Sequence, residues 1–235
     1  MRKIIIALPK GKRLLGPAYE VFKKAGYISA ELEAEIEHTK LKQLEFATDN
    51  GKAIFVLVRI ADIPQYVDKN WADIGIAAFD CYREYELENA TAKSSLRGDN
   101  FTSDILPDLK LCAQSRFCVA GRPDGLAFYE RCKSNDEKIM TVATQHPSIA
   151  AKFFARKGMV VDVITISGSS EVMPKFGGVD CIFDIVESGK ALEENGLIIY
   201  EEAMPIATKI LVSKAAMKYD ENMEVLTNEI KQAIG

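Results

Sequence analysis

Short apolar, β-branched runs alternate along this chain with amphipathic stretches that carry helix-cap signals, the pattern of strands joined by helical crossovers. Lys3 to Leu8 predicts a first buried strand, Pro9 to Arg13 a basic turn, and Leu14 to Lys24 a helix that Gly26 stops by adopting the left-handed cap conformation. Ala53 to Val58 predicts a second strand. Asp62 then opens a helix with Pro64 in its first turn, and Asp73 to Ala78 predicts a third strand. Residues 29 to 42 have helical composition without clear borders. From Asn89 to Asp108 the apolar periodicity disappears, and Gly98 and Pro107 mark a long excursion. Beyond it, strands are predicted at Leu109 to Ala113, Phe117 to Ala120, Ile139 to Ala143, Val160 to Ile166 and Cys181 to Val186, with a helix from Ser148 to Lys157. Leu197 to Tyr200 and Ile210 to Val212 read as returning strands, and Asn222 to Ile234 as a terminal helix that closes the first lobe. The class expected is α/β, with a mostly parallel sheet.

Composition narrows the function. With 235 residues, 48% of them hydrophobic, the chain can bury real cores, so disorder and fibres are excluded. A net charge of −4, with the basic residues dispersed, provides no field for a nucleic-acid backbone. The longest apolar runs are strand-sized and no signal-peptide cleavage region follows Met1, so neither a membrane span nor export is expected, and the location expected is cytoplasmic. Five scattered cysteines without a C-x-x-C pair, and only two histidines, read as core thiols rather than a metal cage.

The sequence contains neither a G-x-S-x-G elbow nor a G-x-x-x-x-G-K-[ST] phosphate loop, so chemistry is expected to rest on positioning and electrostatics. Three segments have suitable residues. Pro9-Lys10-Gly11-Lys12-Arg13 puts three cations after a strand end, where open α/β sheets present ligands; it suits a phosphate or a pyrophosphate, or is simply a solvated turn. Gly168-Ser169-Ser170-Glu171 offers hydroxyls and amides, or a capped helix start. The stretch from Asp180 to Leu192 carries two acids, Asp180 and Asp184, on one face of a strand by the two-residue period. A Glu187-Ser188-Gly189-Lys190 turn then meets a helix N-terminus. Acids for sugar hydroxyls beside a turn for a phosphate monoester describe a ribose-5-phosphate site, against the plainer reading of surface acids beside a cap.

The segments Ile6-Ala-Leu-Pro-Lys-Gly11, Phe55-Val-Leu-Val-Arg-Ile-Ala-Asp-Ile-Pro64 with Tyr66-Val67, Ala72-Asp-Ile-Gly-Ile76 with Asp80, Arg116-Phe-Cys-Val-Ala-Gly121, Val142-Ala-Thr144 with Pro147, and Ser167 to Leu197 together resemble the ATP phosphoribosyltransferases, the first enzymes of histidine biosynthesis. The resemblance implies transfer of phosphoribose from 5-phosphoribosyl-1-pyrophosphate to N1 of ATP, with Mg²⁺ present. It implies two lobes resembling a type II periplasmic binding protein, residues 1–114 with 205–235 and residues 115–204, and a ligand cleft between them. By resemblance, Ser188, Gly189, Lys190, Ala191 and Leu192 hold the 5-phosphate, Asp180 and Asp184 the ribose, and Lys10, Lys12 and Arg13 the pyrophosphate or the ATP phosphates. Lys42 stands at a second anion-binding position. Arg59, Asp80, Arg116, Glu171 and Glu187 complete the implied substrate-binding set.

Three departures from the family pattern bear on this. Val179 replaces a small residue, Ala191 replaces a threonine and so loses a hydroxyl, and Lys12 replaces an arginine, losing bidentate geometry. They raise the alternatives of a binding or regulatory paralogue, or of a transferase using another acceptor. Only 21 residues follow Lys214, too few for a C-terminal regulatory domain, and in this the chain resembles the short form. That form implies a homodimer and a separate regulatory subunit similar to histidyl-tRNA synthetase. His146 is expected to be a packed or surface imidazole, and Trp71 to serve in packing.

Overall fold

A computed structural model describes residues 2–38, 41–93, 103–105, 115–134 and 139–234. The chain divides into two compact units, Met1–Cys112 with Ala207–Gly235, and Ala113–Ile206. Within the first unit lie β1 (Ile4–Pro9), α1 (Lys12–Lys24), α2 (Ala30–Glu37), β2 (Glu45–Ala47), β3 (Ala53–Val58), α3 (Ile63–Asp68), β4 (Ile74–Ala78), α4 (Phe79–Lys93) and β5 (Ser103–Ile105). The second unit holds β6 (Arg116–Gly121), α5 (Leu126–Lys133), β7 (Met140–Thr144), α6 (Pro147–Arg156), β8 (Val161–Thr165), a 3-10 turn (Ser170–Phe176), β9 (Cys181–Val186), α7 (Lys190–Glu194) and β10 (Ile198–Pro205). The chain then re-enters the first unit as β11 (Thr208–Ser213), α8 (Lys214–Tyr219) and α9 (Glu221–Ile234).

The first unit's sheet runs β2-β3-β1-β4-β11-β5 and the second's β10-β6-β9-β7-β8. Parallel pairing among the described residues is confined to β3–β1–β4 and to β8–β7–β9; the other neighbours are antiparallel. Both sheets are therefore mixed, which corrects the expectation of a mostly parallel one. Strands covered on both faces give continuous apolar runs whichever way their neighbours point, so the pattern was blind to direction.

Side-chain alternation builds the layers. Ile4, Ile6 and Leu8 of β1 join Tyr19 and Phe22 of α1, Phe55 of β3 and Leu226 of α9 in one buried cluster, whereas Ala7 faces Ile63 and Val67 of α3 on the other side. Edge-on ring contacts of Phe55 with Tyr19 at 5.4 Å and Phe22 at 5.9 Å lock α1 against the sheet. In the second unit Phe183 stacks on Phe117 at 4.9 Å and meets Phe153 at 5.2 Å, which fixes α6 over β6 and β9. Each buried phenyl contributes roughly 2 kcal/mol of transfer free energy.

Several local expectations change. α1 begins at Lys12, so Lys12 and Arg13 belong to its first turn and not to the basic loop. β2 pairs three residues with β3 and lacked a strand signal, since Glu45 and Ala47 are exposed and only Phe46 is buried. The segment expected as an excursion starts as the end of α4, and residues 103–105 pair with β11 as β5. Its remainder and the strand expected at Leu109 to Ala113 lie outside the described residues. Trp71 meets the Tyr66 ring edge-on at 5.4 Å, within its own unit, yet remains 55% exposed, so its packing is partial. The left-handed Asn70 (φ 59°) turns the chain just before it. His146 meets the Phe117 ring edge-on at 5.1 Å. Cys118, Cys132 and Cys181 are buried, Cys81 is half-buried, and none of the four forms a disulfide. No helix among the described residues is long and apolar enough to cross a membrane.

Candidate functional site

β9 ends at Val186, and the chain must then turn sharply to start α7. Gly189 performs that turn at φ 79°, a left-handed conformation that side-chain-bearing residues adopt only under strain. The Ser188 hydroxyl accepts the Lys190 amide at 3.4 Å, a local serine turn that orders the loop. The Gly189 carbonyl accepts the amides of Leu192 and Glu193 at 3.0 and 3.1 Å, which closes the first turn of α7. The start of a helix carries partial positive charge, which an anion would meet here, with the amides of Lys190, Leu192 and Glu193 engaged within the turn.

That point opens onto a cavity of about 260 Å³ lined by Ser170, Glu171, Asp184, Glu187 and the turn from Ser188 to Leu192, with Ile182, Ile185 and Val186 as its apolar wall. Eight residues singled out in the sequence, Glu171, Asp184 and residues 187 to 192, are thus brought together in one unit. The 3-10 turn packs on β9 so that the buried Ser170 donates its hydroxyl to Oδ2 of Asp184. Oδ1 of Asp184 accepts the Ile185 amide at 2.7 Å. Lys190 points outward, 77% exposed, with Glu194 3.7 Å away.

Asp180 stands apart. It precedes β9 at the opposite end, four residues and roughly 13 Å of strand rise from Asp184. Its Oδ2 accepts the Thr141 amide at 2.7 Å, and it does not line the cavity. Sharing one strand face had suggested a joint clasp on one ribose; the spacing along the strand separates the two acids by more than one sugar. Val179 is buried in one cluster with Leu192 and Leu197 and does not itself line the cavity. Ala191 does line the cavity.

Ser115, which no sequence feature singles out, and Ser170, from the Gly168–Glu171 segment, belong to this neighbourhood. Ser115 is buried and donates its hydroxyl to Glu187 Oε1 at 3.1 Å, and Ser170 braces Asp184 as described. Ser115 lies in no chemical motif, and a lone serine before a strand gives no sequence signal, whereas Ser170 stands in a segment whose hydroxyls mark it as a candidate. Arg116 makes two contacts within its unit, from Nε to Glu202 at 2.7 Å and from Nη1 to the Glu187 carbonyl at 3.3 Å.

The first unit gathers the remaining predicted residues at one edge of its sheet. β1 and β3 are parallel with Pro9 opposite Val58, and the Lys10 amide donates to the Val58 carbonyl at 2.8 Å, so Lys10 and Arg59 leave neighbouring strand ends together. Antiparallel pairing of β2 with β3, and the Leu57 amide on the Leu44 carbonyl at 2.7 Å, bring the segment of Lys42 to the same edge. The Lys42 amide donates to Glu35 at 2.8 Å. Lys12 and Arg13 occupy the first turn of α1, where cations oppose the helix dipole by a few tenths of a kcal/mol each, roughly, a cost that a bound anion would offset. Asp80, in the first turn of α4 after β4, is buried at this edge, with the Cys81 thiol on its Oδ2 at 3.4 Å. Burial, and then the neighbouring Asp80 carboxylate, push that thiol far above its usual range, so Cys81 is no nucleophile.

The fold places the chain in the class of two-unit, mixed α/β proteins like periplasmic binding proteins. The aliphatic sulphonate binding protein SsuA of Escherichia coli superposes with a TM-score of 0.51 at 11% identity, over 99% of this chain and 72% of that one. The ATP phosphoribosyl transferase (HisG:HisZ) complex of Thermotoga maritima contains a chain with a TM-score of 0.69 at 24% identity, covering 97% of this chain and 99% of that one. Residues 59–232 match the family model of ATP phosphoribosyltransferase. The ATP phosphoribosyltransferases of Bacillus cytotoxicus and Listeria welshimeri are 36% and 34% identical, over 96% and 100% of this chain and 95% and 97% of theirs. The chain belongs to the ATP phosphoribosyltransferase family, the phosphoribosyl-transferring enzymes of histidine biosynthesis. A binding paralogue without turnover is not favoured.

Proposed function

We propose that the cavity at the end of β9 holds the phosphoribosyl end of 5-phosphoribosyl-1-pyrophosphate while ATP presents N1 of its adenine to the anomeric carbon. The N1 lone pair forms the new bond as the carbon–oxygen bond to pyrophosphate breaks, and the bonding electrons leave with pyrophosphate. N1 needs no prior deprotonation, so the chain's task is to align two polyanions and stabilise the departing charge. In this reading the turn from Ser188 to Leu192 cradles the monoester phosphate, and Asp184, with Glu171 beside it, accepts hydrogen bonds from the ribose hydroxyls. Lys10, Lys12, Arg13, Lys42 and Arg59 neutralise the diphosphate and the ATP phosphates, and Asp80 lies at the same edge. Asp180 takes no part. The observation that carries the reading is the convergence of Asp184, Glu171 and the glycine-turned loop from Ser188 to Leu192 on one cavity.

The described residues contain no group of three or more His, Cys, Asp or Glu arranged around a metal position. In this reading Mg²⁺ arrives chelated by the substrate diphosphate. A short-form enzyme that acts with a separate regulatory subunit is supported by the lengths shared with relatives and by the complex in which the Thermotoga maritima chain occurs. A homodimer and a cytoplasmic location complete the proposal.

The test is incubation of the purified chain, alone and with a regulatory partner, with ATP, 5-phosphoribosyl-1-pyrophosphate and Mg²⁺. Phosphoribosyl-ATP and equimolar pyrophosphate are expected by mass spectrometry and a pyrophosphate assay. Their absence in both mixtures rejects the reading, and product with another base in place of ATP would redirect it.

A further inference from the structure

Ser115 and Arg116 stand directly across the ladder from the start of the cradle. Arg116 opens β6 opposite Val186, the last residue of β9, and Glu187 follows. Two restraints act on that glutamate. The hydroxyl of Ser115, a residue only 6% exposed, donates to the Glu187 carboxylate at 3.1 Å, and the Arg116 guanidinium donates to the Glu187 carbonyl at 3.3 Å. Both donors are themselves held. The Ser115 carbonyl accepts the Ile206 amide at 2.8 Å, and Arg116 Nε is tied to Glu202 at 2.7 Å.

Glu187 lines the cavity, and a carboxylate beside a site for a phosphate dianion opposes the ligand unless its position is fixed. We infer that Ser115 and Arg116 are positioning residues for the phosphate cradle, acting through Glu187. Ser115 keeps the carboxylate drawn toward β6, and Arg116 fixes the carbonyl from which the Ser188–Gly189 turn departs. Arg116 thereby works behind the cradle and not on the substrate. The inference rests on the phosphoribosyl reading of the cavity.

Calorimetric titration of the full chain with ribose 5-phosphate tests it, with circular dichroism to verify folding. Ser115→Ala is expected to weaken binding about tenfold, the order expected for losing a hydrogen bond to a charged group, and Ser115→Thr to restore it. In a Glu187→Gln background, where no carboxylate remains to be restrained, Ser115→Ala is expected to cost less than about twofold. In turnover, Ser115→Ala is expected to raise KM for 5-phosphoribosyl-1-pyrophosphate and leave kcat and KM for ATP within about twofold. Equal losses in both backgrounds, or no loss in the first, overturn the role. Should Ser115→Ala not fold, Arg116→Lys, which keeps the charge beside Glu202 but gives up the guanidinium reach to the Glu187 carbonyl, is expected to weaken binding severalfold; unchanged binding overturns the inference. If the wild-type chain does not bind ribose 5-phosphate, the phosphoribosyl reading fails and this role falls with it.

Discussion

Ser170 gives its hydroxyl to Asp184 from a buried position at the start of the 3-10 turn, while the other oxygen of the same carboxylate takes the Ile185 amide at 2.7 Å. One acid therefore ties two elements together and still faces the cavity. A carboxylate held by two donors is oriented before any ligand arrives, so little reorganisation is left for binding.

Replacing that acid should separate binding from folding. Asp184→Asn keeps the shape but loses the charge and one acceptor, and kcat/KM for 5-phosphoribosyl-1-pyrophosphate should fall about 100-fold in steady-state assays. Ser170→Ala, which leaves the acid in place but unbraced, should fall by about tenfold.

Gly189→Ala isolates the conformational demand of the cradle. A methyl group there meets nothing within 4 Å, so its cost comes from φ 79° alone. About 1 kcal/mol of stability should be lost in urea unfolding, together with a rise in KM for the phosphoribosyl substrate, because relaxing the strain moves the turn.

Gly121→Ala is a contrasting case of close approach away from the cavity. Its Cβ would lie 2.4 Å from the Tyr200 hydroxyl oxygen, whose proton is donated to the Arg122 carbonyl. A loss of about 1–3 kcal/mol in denaturant unfolding is expected, and Tyr200→Phe in the same chain should recover part of it.

Glu201 sets an acid limit on the second unit. Burial raises its pKa, but the Lys157 ammonium, the Tyr129 hydroxyl at 2.7 Å and Lys133 at 3.4 Å outweigh burial and bring it below its ordinary 4.5. A group depressed by folding contributes its full stability above the ordinary value and loses it as pH falls through the lower folded value. The melting temperature should therefore drop as pH falls below about 4.5, and Glu201→Gln should flatten that slope while lowering stability at neutral pH.

Lys12 tests the basic edge of the first unit. Lys12→Gln should raise KM for at least one polyphosphate substrate about tenfold, and weaken the dependence of that KM on salt, since fewer cations remain to be screened. An unchanged KM for both substrates would place the anion elsewhere.

By themselves, the residues determined most of the principal elements and marked the segment from Glu187 to Lys190 as a candidate turn. β1, β3 and β9 are strand-length apolar runs and α6 and α9 carry helical periods, and Glu187-Ser188-Gly189-Lys190 marks a turn because glycine and serine at those offsets suit a left-handed bend before a helix. Strand direction, the helical end of the excursion up to Lys93, the short β2 and the exposure of Trp71 were settled in three dimensions. The structure also shows the Asp180 carboxylate on the Thr141 amide, outside the cavity that Asp184 lines, a partner 39 residues away that local spacing does not reveal. The bracing by Ser115 and Ser170 depends on partners 72 and 14 residues away, and hydrogen bonds between such distant positions exist only once packing brings the strands together.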